Sequence, residues 1–312
     1  MLKIYKTSKS EIIKSKNIQK DCWIDLTMPT EEEIDRVVKA TKIDKDLIIK
    51  MLDEEERPRI EISNNDTLIV IDTPFLELNN GTYEFTTYPL GIIISKNNYL
   101  ITVSLKNLKL LNDFKHNRIK DFKPGKKTRF LIQILLKTAS MYQKALKGIN
   151  KNIENKEEVL KKSTKNKDLI DLLETEKTLV YFITSLKAND LVLEKLNKGV
   201  VLKLFEEDYD LLEDAIIENK QAIEMSEIYR NILSSITDTY ATIVSNNMNN
   251  AMKFLAGMTI ILSVPTIISS FFGMNIPFPH LANLNSAYII LLIVSIVISI
   301  LTAIILKIKD ML

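Results

Sequence analysis

Leu255–Asn275 reads LAGMTIILSVPTIISSFFGMN. Lys253 precedes it, and no charged side chain follows until Lys307. Phe254–Phe272 is nineteen residues, enough to cross a bilayer core as a helix at about 1.5 Å per residue. The run is not uniformly apolar. Asn249, Met252, Ala256, Thr259, Ser263, Thr266 and Ser270 recur at spacings of three and four, which puts them on one stripe of a helix. Bulky apolar residues (Phe254, Ile260, Ile261, Val264, Ile267, Ile268) hold most of the remaining positions. A spanning helix with a hydroxyl stripe either packs tightly on a neighbour or faces water.

Around this run the chain divides in three. Residues 1–124 read as a mixed α/β domain, with strands expected at Ile4-Tyr5, Cys22–Leu26, Arg59–Ser63, Thr67–Leu76, Tyr83–Ile94 and Tyr99–Val103. Asn79-Asn80-Gly81 and Asn97-Asn98 are hairpin signals. Thr30 and Glu33 form a capping box opening a helix, and further helices are expected near Lys45–Glu55 and Leu105–Ile119. Pro124-Gly125 marks the next boundary. From there to Val264 there is no proline, so 125–252 reads as long helices: Lys127–Lys162, Leu169–Asn197, and a third from Phe205 running unbroken into the apolar run. About sixty-five residues of helix would span roughly 100 Å. A coiled-coil stalk accounts for 205–245 by itself. The first span is 253–273, the loop 274–286, the second span 287–306 and the tail 307–312.

Composition excludes several function classes. Lys+Arg 42 against Asp+Glu 40 leaves no basic field for nucleic acid. A single cysteine, Cys22, precludes an intrachain disulfide and suits a cytosolic bulk. No apolar stretch follows Met1, so no cleavable signal peptide is expected. No phosphate-cradling glycine loop is present, and His116 and His280 are the only histidines, so neither nucleotide chemistry nor a His-rich zinc site is expected and the chain does not read as an enzyme. Lys253, Lys307 and Lys309 flank the spans on one side. The positive-inside rule puts that side, with both termini, in the cytosol of a multi-pass protein of the cytoplasmic membrane.

Gly273-Met274-Asn275 at the end of the first of two C-terminal spans resembles the signature of the CorA family of magnesium channels. A long proline-free helical stretch, Pro265-Thr266 upstream, Trp23-Ile24-Asp25-Leu26 and Glu56-Arg57-Pro58-Arg59-Ile60-Glu61 extend the resemblance over essentially the whole chain. It implies an α+β membrane protein: a cytosolic α/β domain, a long helical stalk and two transmembrane helices in a funnel-shaped homopentamer. It also implies gradient-driven passage of Mg²⁺, with Co²⁺ or Ni²⁺ as further cargo, gated by cytosolic Mg²⁺. A zinc or other transition-metal transporter on the same scaffold is the nearest alternative, disfavoured by the scarcity of His and Cys. A membrane-anchored coiled-coil protein without transport is the third; an anchor needs neither the hydroxyl stripe nor the tripeptide.

The resemblance also implies site residues. Gly273, Met274 and Asn275 match the selectivity filter. Five Asn275 amides would hydrogen-bond the waters of a hydrated Mg²⁺ without stripping them. Asn275 beside Gly273 also suits a plain helix cap. Thr266 matches a polar ring below the filter, Met252 and Leu255 an apolar constriction, and Asn249 the cytosolic entrance; Thr259, Ser263 and Ser270 complete the lining. Ser263 stands where the family often has methionine, which shifts the expected gate down to Met252 and Leu255. The loop 276–286 lacks the acidic residues of many members. For the regulatory Mg²⁺ sites between subunits, Asp214 matches the long-helix carboxylate and Asp53 or Glu54 its partner. A solvated acidic face is the ordinary reading of that run.

Overall fold

The computed structural model describes residues 1–8, 11–79, 82–160, 166–199, 201–202, 204–274 and 287–309. Seven strands form one sheet: β1 (Leu2–Ser8), β2 (Glu11–Ser15), β3 (Trp23–Thr27), β4 (Arg59–Ser63), β5 (Asp66–Asn79), β6 (Thr82–Ile94) and β7 (Leu100–Ser104). Their order is β2-β1-β3-β7-β6-β5-β4, with only β3 and β7 parallel. Two asparagine turns close hairpins. Asn64-Asn65 (φ 50° and 68°) joins β4 to β5, and Asn98 (φ 68°) lies between β6 and β7, because asparagine tolerates the left-handed backbone these turns demand.

Both faces of the sheet are covered, so its central strands are apolar almost throughout. On one face Ile24, Leu26, Leu68, Val70, Ile93 and Val103 pack against α1 (Glu31–Thr41) and α2 (Lys45–Ile49). A 3-10 turn, Lys50–Leu52, follows α2 and seats Met51 over Gly91, where an added Cβ would lie 2.5 Å from Met51 Cγ. On the other face Tyr5, Trp23, Ile69, Ile71, Leu90 and Ile92 pack against α3 (Lys109–Lys115), α4 (Lys127–Leu160) and α5 (Asn166–Asn197). The Thr30–Glu33 capping box is present at α1.

The expectations differ from the fold in instructive places. The strand β2 is an edge strand with only Ile12 buried, too weakly patterned to read from sequence. The helices expected at 45–55 and 105–119 are shorter, because Asp53 turns extended after the 3-10 segment and α3 starts only after Leu108. The C-terminal end expected for the first long helix (Lys162), the loop 276–286, Asn80-Gly81 and Asn275 lie outside the described residues. The expected boundary at 124 does not separate compact units. The first unit runs Met1–Ser235 and the second Ile236–Leu312, because α4 and α5 lie on the sheet rather than apart from it.

A third helix, α6 (Glu206–Phe272), begins where expected and runs unbroken for 67 residues. Its buried positions in the first unit are Asp208, Leu212, Ala215, Asn219, Ala222, Ser226 and Leu233. These fall on steps of four and three and one full seven, a heptad seam. Large apolar residues alone do not mark this seam: Ile228 and Ile232 are exposed, while small and amide side chains are inside. Asn219 Nδ2 donates to the Leu186 carbonyl at 3.1 Å, and Lys187 pairs with Glu227 at 2.6 Å, joining α6 to α5. Arg129 on α4 pairs with buried Asp208 at 3.1 Å.

Past the Arg59–Val70 pair β4 leaves the edge of β5 uncovered, and α5 supplies the missing partner. Asn189 accepts from the Asp72 amide at 2.9 Å and donates to its carbonyl at 2.8 Å. Ser185 Oγ donates to Asp72 Oδ2 at 2.7 Å. Burial nevertheless pushes the Asp72 carboxyl up to about 6, against a lowering by Ser185, and burial and Asp72 together raise buried Tyr142. With its folded value above its unfolded one, Asp72 keeps its proton longer in the native chain, so stability falls as pH rises from about 4 to about 6. Asp72→Asn removes that charge and keeps an acceptor for Ser185. We expect the variant to be more stable than the parent at pH 8, by up to about 3 kcal/mol, and the gap to close by pH 4. Thermal unfolding followed by the fluorescence of Trp23 measures it; a gap that does not grow with pH contradicts the assignment.

Candidate functional site: an uncharged helix with a polar stripe

Among the described residues two helices are long and apolar enough to cross a membrane: the end of α6 and α7 (Ala287–Ile308). At 100° per residue Asn249, Met252, Leu255, Thr259, Ser263, Thr266 and Ser270 occupy about one third of the helix circumference. The structure places all seven on α6; Ser263 is half-buried and the others are exposed, Met252 at 62% and Leu255 at 59%. On the opposite side Gly257 is buried and Ile261, Val264 and Ile268 are half-buried. In α7 the shielded residues are Leu291, Ser295, Ser299, Thr302, Ala303 and Leu306, again one face. Small residues on such faces let helices approach closely. The polar stripe is therefore turned away from the shielded side of α6.

Each stripe hydroxyl with a described hydrogen bond gives its proton to its own helix. Thr259 Oγ1 donates to the Leu255 carbonyl at 2.8 Å, Ser263 Oγ to Ile260 at 2.7 Å and Thr266 Oγ1 to Leu262 at 3.0 Å. A hydroxyl has one proton and two lone pairs, so what remains outward is acceptor character. The waters of a hydrated cation point their protons outward, and an acceptor surface meets them. Pro265 lies inside the helix and deprives the Ile261 carbonyl of its amide partner.

The helix ends at Phe272. The Gly273 amide donates to Ser269 O at 2.9 Å, and the Met274 amide to Phe271 O at 3.4 Å. A Cβ on Gly273 would sit 3.1 Å from the Ser269 carbonyl oxygen, a tight approach that glycine avoids. Met274 is exposed, and Asn275 lies beyond the described residues. At the other end Asn246, Asn249 and Asn250 line one surface cleft with Met252 and Lys253. Only Asn249 was singled out from sequence, although the cluster of asparagines is plain to read there.

The three carboxylates expected at regulatory sites are all on the surface of the single chain. Asp214 is exposed on α6, beside the buried seam residue Ala215. Asp53 and Glu54 are exposed after the 3-10 turn, and Asp53 Oδ1 accepts from the Glu55 amide at 2.9 Å. Among the described residues no group of three or more His, Cys, Asp or Glu side chains within the single chain could hold a metal. The Glu56–Glu61 motif has a structural role: Arg59 pairs with Glu56 and, at 2.9 Å, with Glu61. In the other quoted motif, Trp23 Nε1 donates to Thr102 Oγ1 at 2.9 Å, and Thr102 donates to Asp25 at 3.1 Å.

Comparison with known proteins agrees with this architecture. The cobalt/magnesium transport protein CorA of Methanocaldococcus jannaschii is 33% identical over 266 residues, covering 84% of this chain and 82% of that protein. Its counterpart from Thermotoga maritima is 22% identical over 259 residues, covering 81% and 72%. The complete structure of the CorA magnesium transporter from M. jannaschii matches with a TM-score of 0.86 at 27% identity, covering 98% of this chain and 96% of that one. Full-length CmaX shares the fold, with a TM-score of 0.74 at 14% identity over 98% and 97%. The family described as CorA-like Mg²⁺ transporter protein matches residues 19–307, so the chain, a membrane protein with two spanning helices, belongs to the CorA family.

Proposed function

We infer that this chain transports Mg²⁺, and Co²⁺ with it, across the membrane down the electrochemical gradient. The observation that carries the reading is the match to the magnesium-transporter family over residues 19–307, reinforced by a cobalt/magnesium transporter 33% identical to the chain. The largely exposed acceptor stripe on the uncharged end of α6 fits it, because hydroxyl and amide oxygens facing water suit a hydrated divalent cation. Such a stripe in one chain is bare, and several copies would enclose it; we propose a pentamer around it. The proposed organisation is a cytosolic part before 253, spans at 253–273 and 287–306, and an outer loop at 274–286. Lys253, Lys307 and Lys309 support cytosolic termini in the cytoplasmic membrane.

In this reading Asn275 rings the outer mouth with Gly273 and Met274 shaping it. Thr266, Ser270, Ser263 and Thr259 line the path, and Met252 and Leu255 form the apolar constriction above Asn249. Cytosolic Mg²⁺ bound between subunits by Asp214 and Asp53 or Glu54 closes the channel. Flux of Mg²⁺, Co²⁺ and Zn²⁺ into liposomes holding pure protein tests the function. Mg²⁺ uptake is expected; Zn²⁺ uptake without Mg²⁺ uptake would instead support a zinc transporter, and no uptake of any ion overturns the transport reading.

Four variants test the residue roles. Asn275→Ala is expected to cut Mg²⁺ uptake at least about tenfold or admit sodium, since the amide ring is what orders the ion's waters; unchanged uptake and selectivity removes Asn275 from the filter. Glycine at Met252 or Leu255 widens and wets the constriction, so uptake at millimolar internal Mg²⁺ should rise above that of the parent. Asp214→Lys puts a fixed charge where the ion would sit, offsetting carboxylate repulsion of about 1 to 4 kcal/mol per pair. Limited proteolysis of the parent should slow in millimolar Mg²⁺, by binding linkage, while the variant should be cut equally with and without it. Full Mg²⁺ protection in the variant makes Asp214 an ordinary surface carboxylate.

A further inference from the structure

A cleft at the β2 edge of the sheet is not accounted for by transport. It has a volume of about 270 Å³ and is lined by Lys3, Tyr5, Lys14, Asn112, Lys115 and His116, with Ile12. Three elements build it. Strand pairing sets Lys3 opposite Asp25 and Tyr5 opposite Lys14, so these side chains share the face covered by α3. The last turn of α3 contributes Asn112 and Lys115, and His116 caps it.

The electrostatics are one-sided. Lys115 is 6% exposed and lies 2.6 Å from Asp25 Oδ2, itself 1% exposed. That pair neutralises one charge. Among the described residues no ion pair engages Lys3 or Lys14, so three ammonium groups face a single carboxylate. His116 Nδ1 is 2.7 Å from the Asn112 carbonyl. A carbonyl only accepts, so Nδ1 carries the proton and Nε2 is left for a ligand or water. Tyr5 stacks on Trp23 with ring centroids 4.9 Å apart, and its hydroxyl makes no hydrogen bond to a described residue. Burial and then Asp25 push that hydroxyl up to about 12, so it stays a donor.

We propose that this cleft binds a compact dianion, a phosphate or phosphomonoester group. Lysine ammoniums serve as point charges for phosphate, and the Tyr5 hydroxyl and Asn112 amide offer neutral donors to a tetrahedral group. The ligand would tie β1 and β2 to α3. A singly charged carboxylate would leave part of the excess positive charge unanswered.

The test is calorimetric titration of the full chain in a phosphate-free detergent at low salt, using sodium phosphate and, separately, glycerol phosphate. Saturable binding is expected, and whichever probe binds more tightly names the source of the group. Lys3→Gln with Lys14→Gln should weaken binding at least about tenfold while leaving Trp23-detected unfolding without phosphate unchanged. Lys16→Gln with Lys20→Gln removes the same charge outside the cleft and should retain parental affinity. Lys14→Gln alone, at an exposed position, serves should the double variant misfold. Absence of saturable binding to either probe overturns the site, as does equal weakening in the two double variants, which would make the effect one of net charge.

Discussion

Hydrocarbon offers no hydrogen bonds, and the C-terminal unit is arranged around that constraint. Every polar group carried through a bilayer core must find a partner within the protein or in enclosed water. The hydroxyls of Thr259, Ser263 and Thr266 satisfy it by donating to carbonyls three and four residues back. The same device appears in α7, where Ser295, Ser299 and Thr302 donate to Leu292, Ser295 and Ile298. The chemical use differs with the face. In α7 these residues are shielded and serve close packing, whereas on α6 the stripe, half-buried Ser263 apart, stays exposed and presents oxygen lone pairs. One local hydrogen-bond geometry thus serves adhesion in one helix and, in the proposed function, ion passage in the other.

The N-terminal unit obeys the opposite constraint, that a sheet buried on both faces must satisfy its charges internally. Asp25 is the sharpest case. Its carboxylate is 1% exposed, and it persists because Lys115 lies at 2.6 Å and Thr102 donates to it. Removing one partner of such a pair costs several kcal/mol, since the other is left buried and unpaired. Asp72 is less well compensated, with one hydroxyl and, among the described residues, no cation, and its raised carboxyl value is the physical mark of that difference. Where the sheet edge runs out, Asn189 imitates a strand and α5 becomes part of the domain rather than of a separate stalk.

Two quoted motifs change meaning once seen in three dimensions. Trp23 and Asp25 anchor one face of β3 while Ile24 and Leu26 fill the other, so that motif builds the core. The Glu56–Glu61 motif holds Arg59 between two carboxylates at the start of β4. Gly273, by contrast, sits where the turn leaving α6 would bring an added Cβ to 3.1 Å from Ser269 O, a tight approach that glycine avoids.

The sequence by itself determined the two spans, the polar stripe, the unbroken long helix, the capping box and the family signature. All of these are periodic or contiguous features whose physics is local: charge exclusion over nineteen residues, spacing on one helix, a proline or its absence. Only the tertiary structure decided that α4 and α5 belong to the sheet. It also revealed the α6 seam of alanine, asparagine and serine, the β2 edge strand, and the lysine cleft closed by α3. These depend on contacts between residues far apart in the chain, such as Asp72 with Asn189 and Asp25 with Lys115. No period in the sequence records such pairs, because a small or charged side chain is buried only when a distant partner arrives to enclose it.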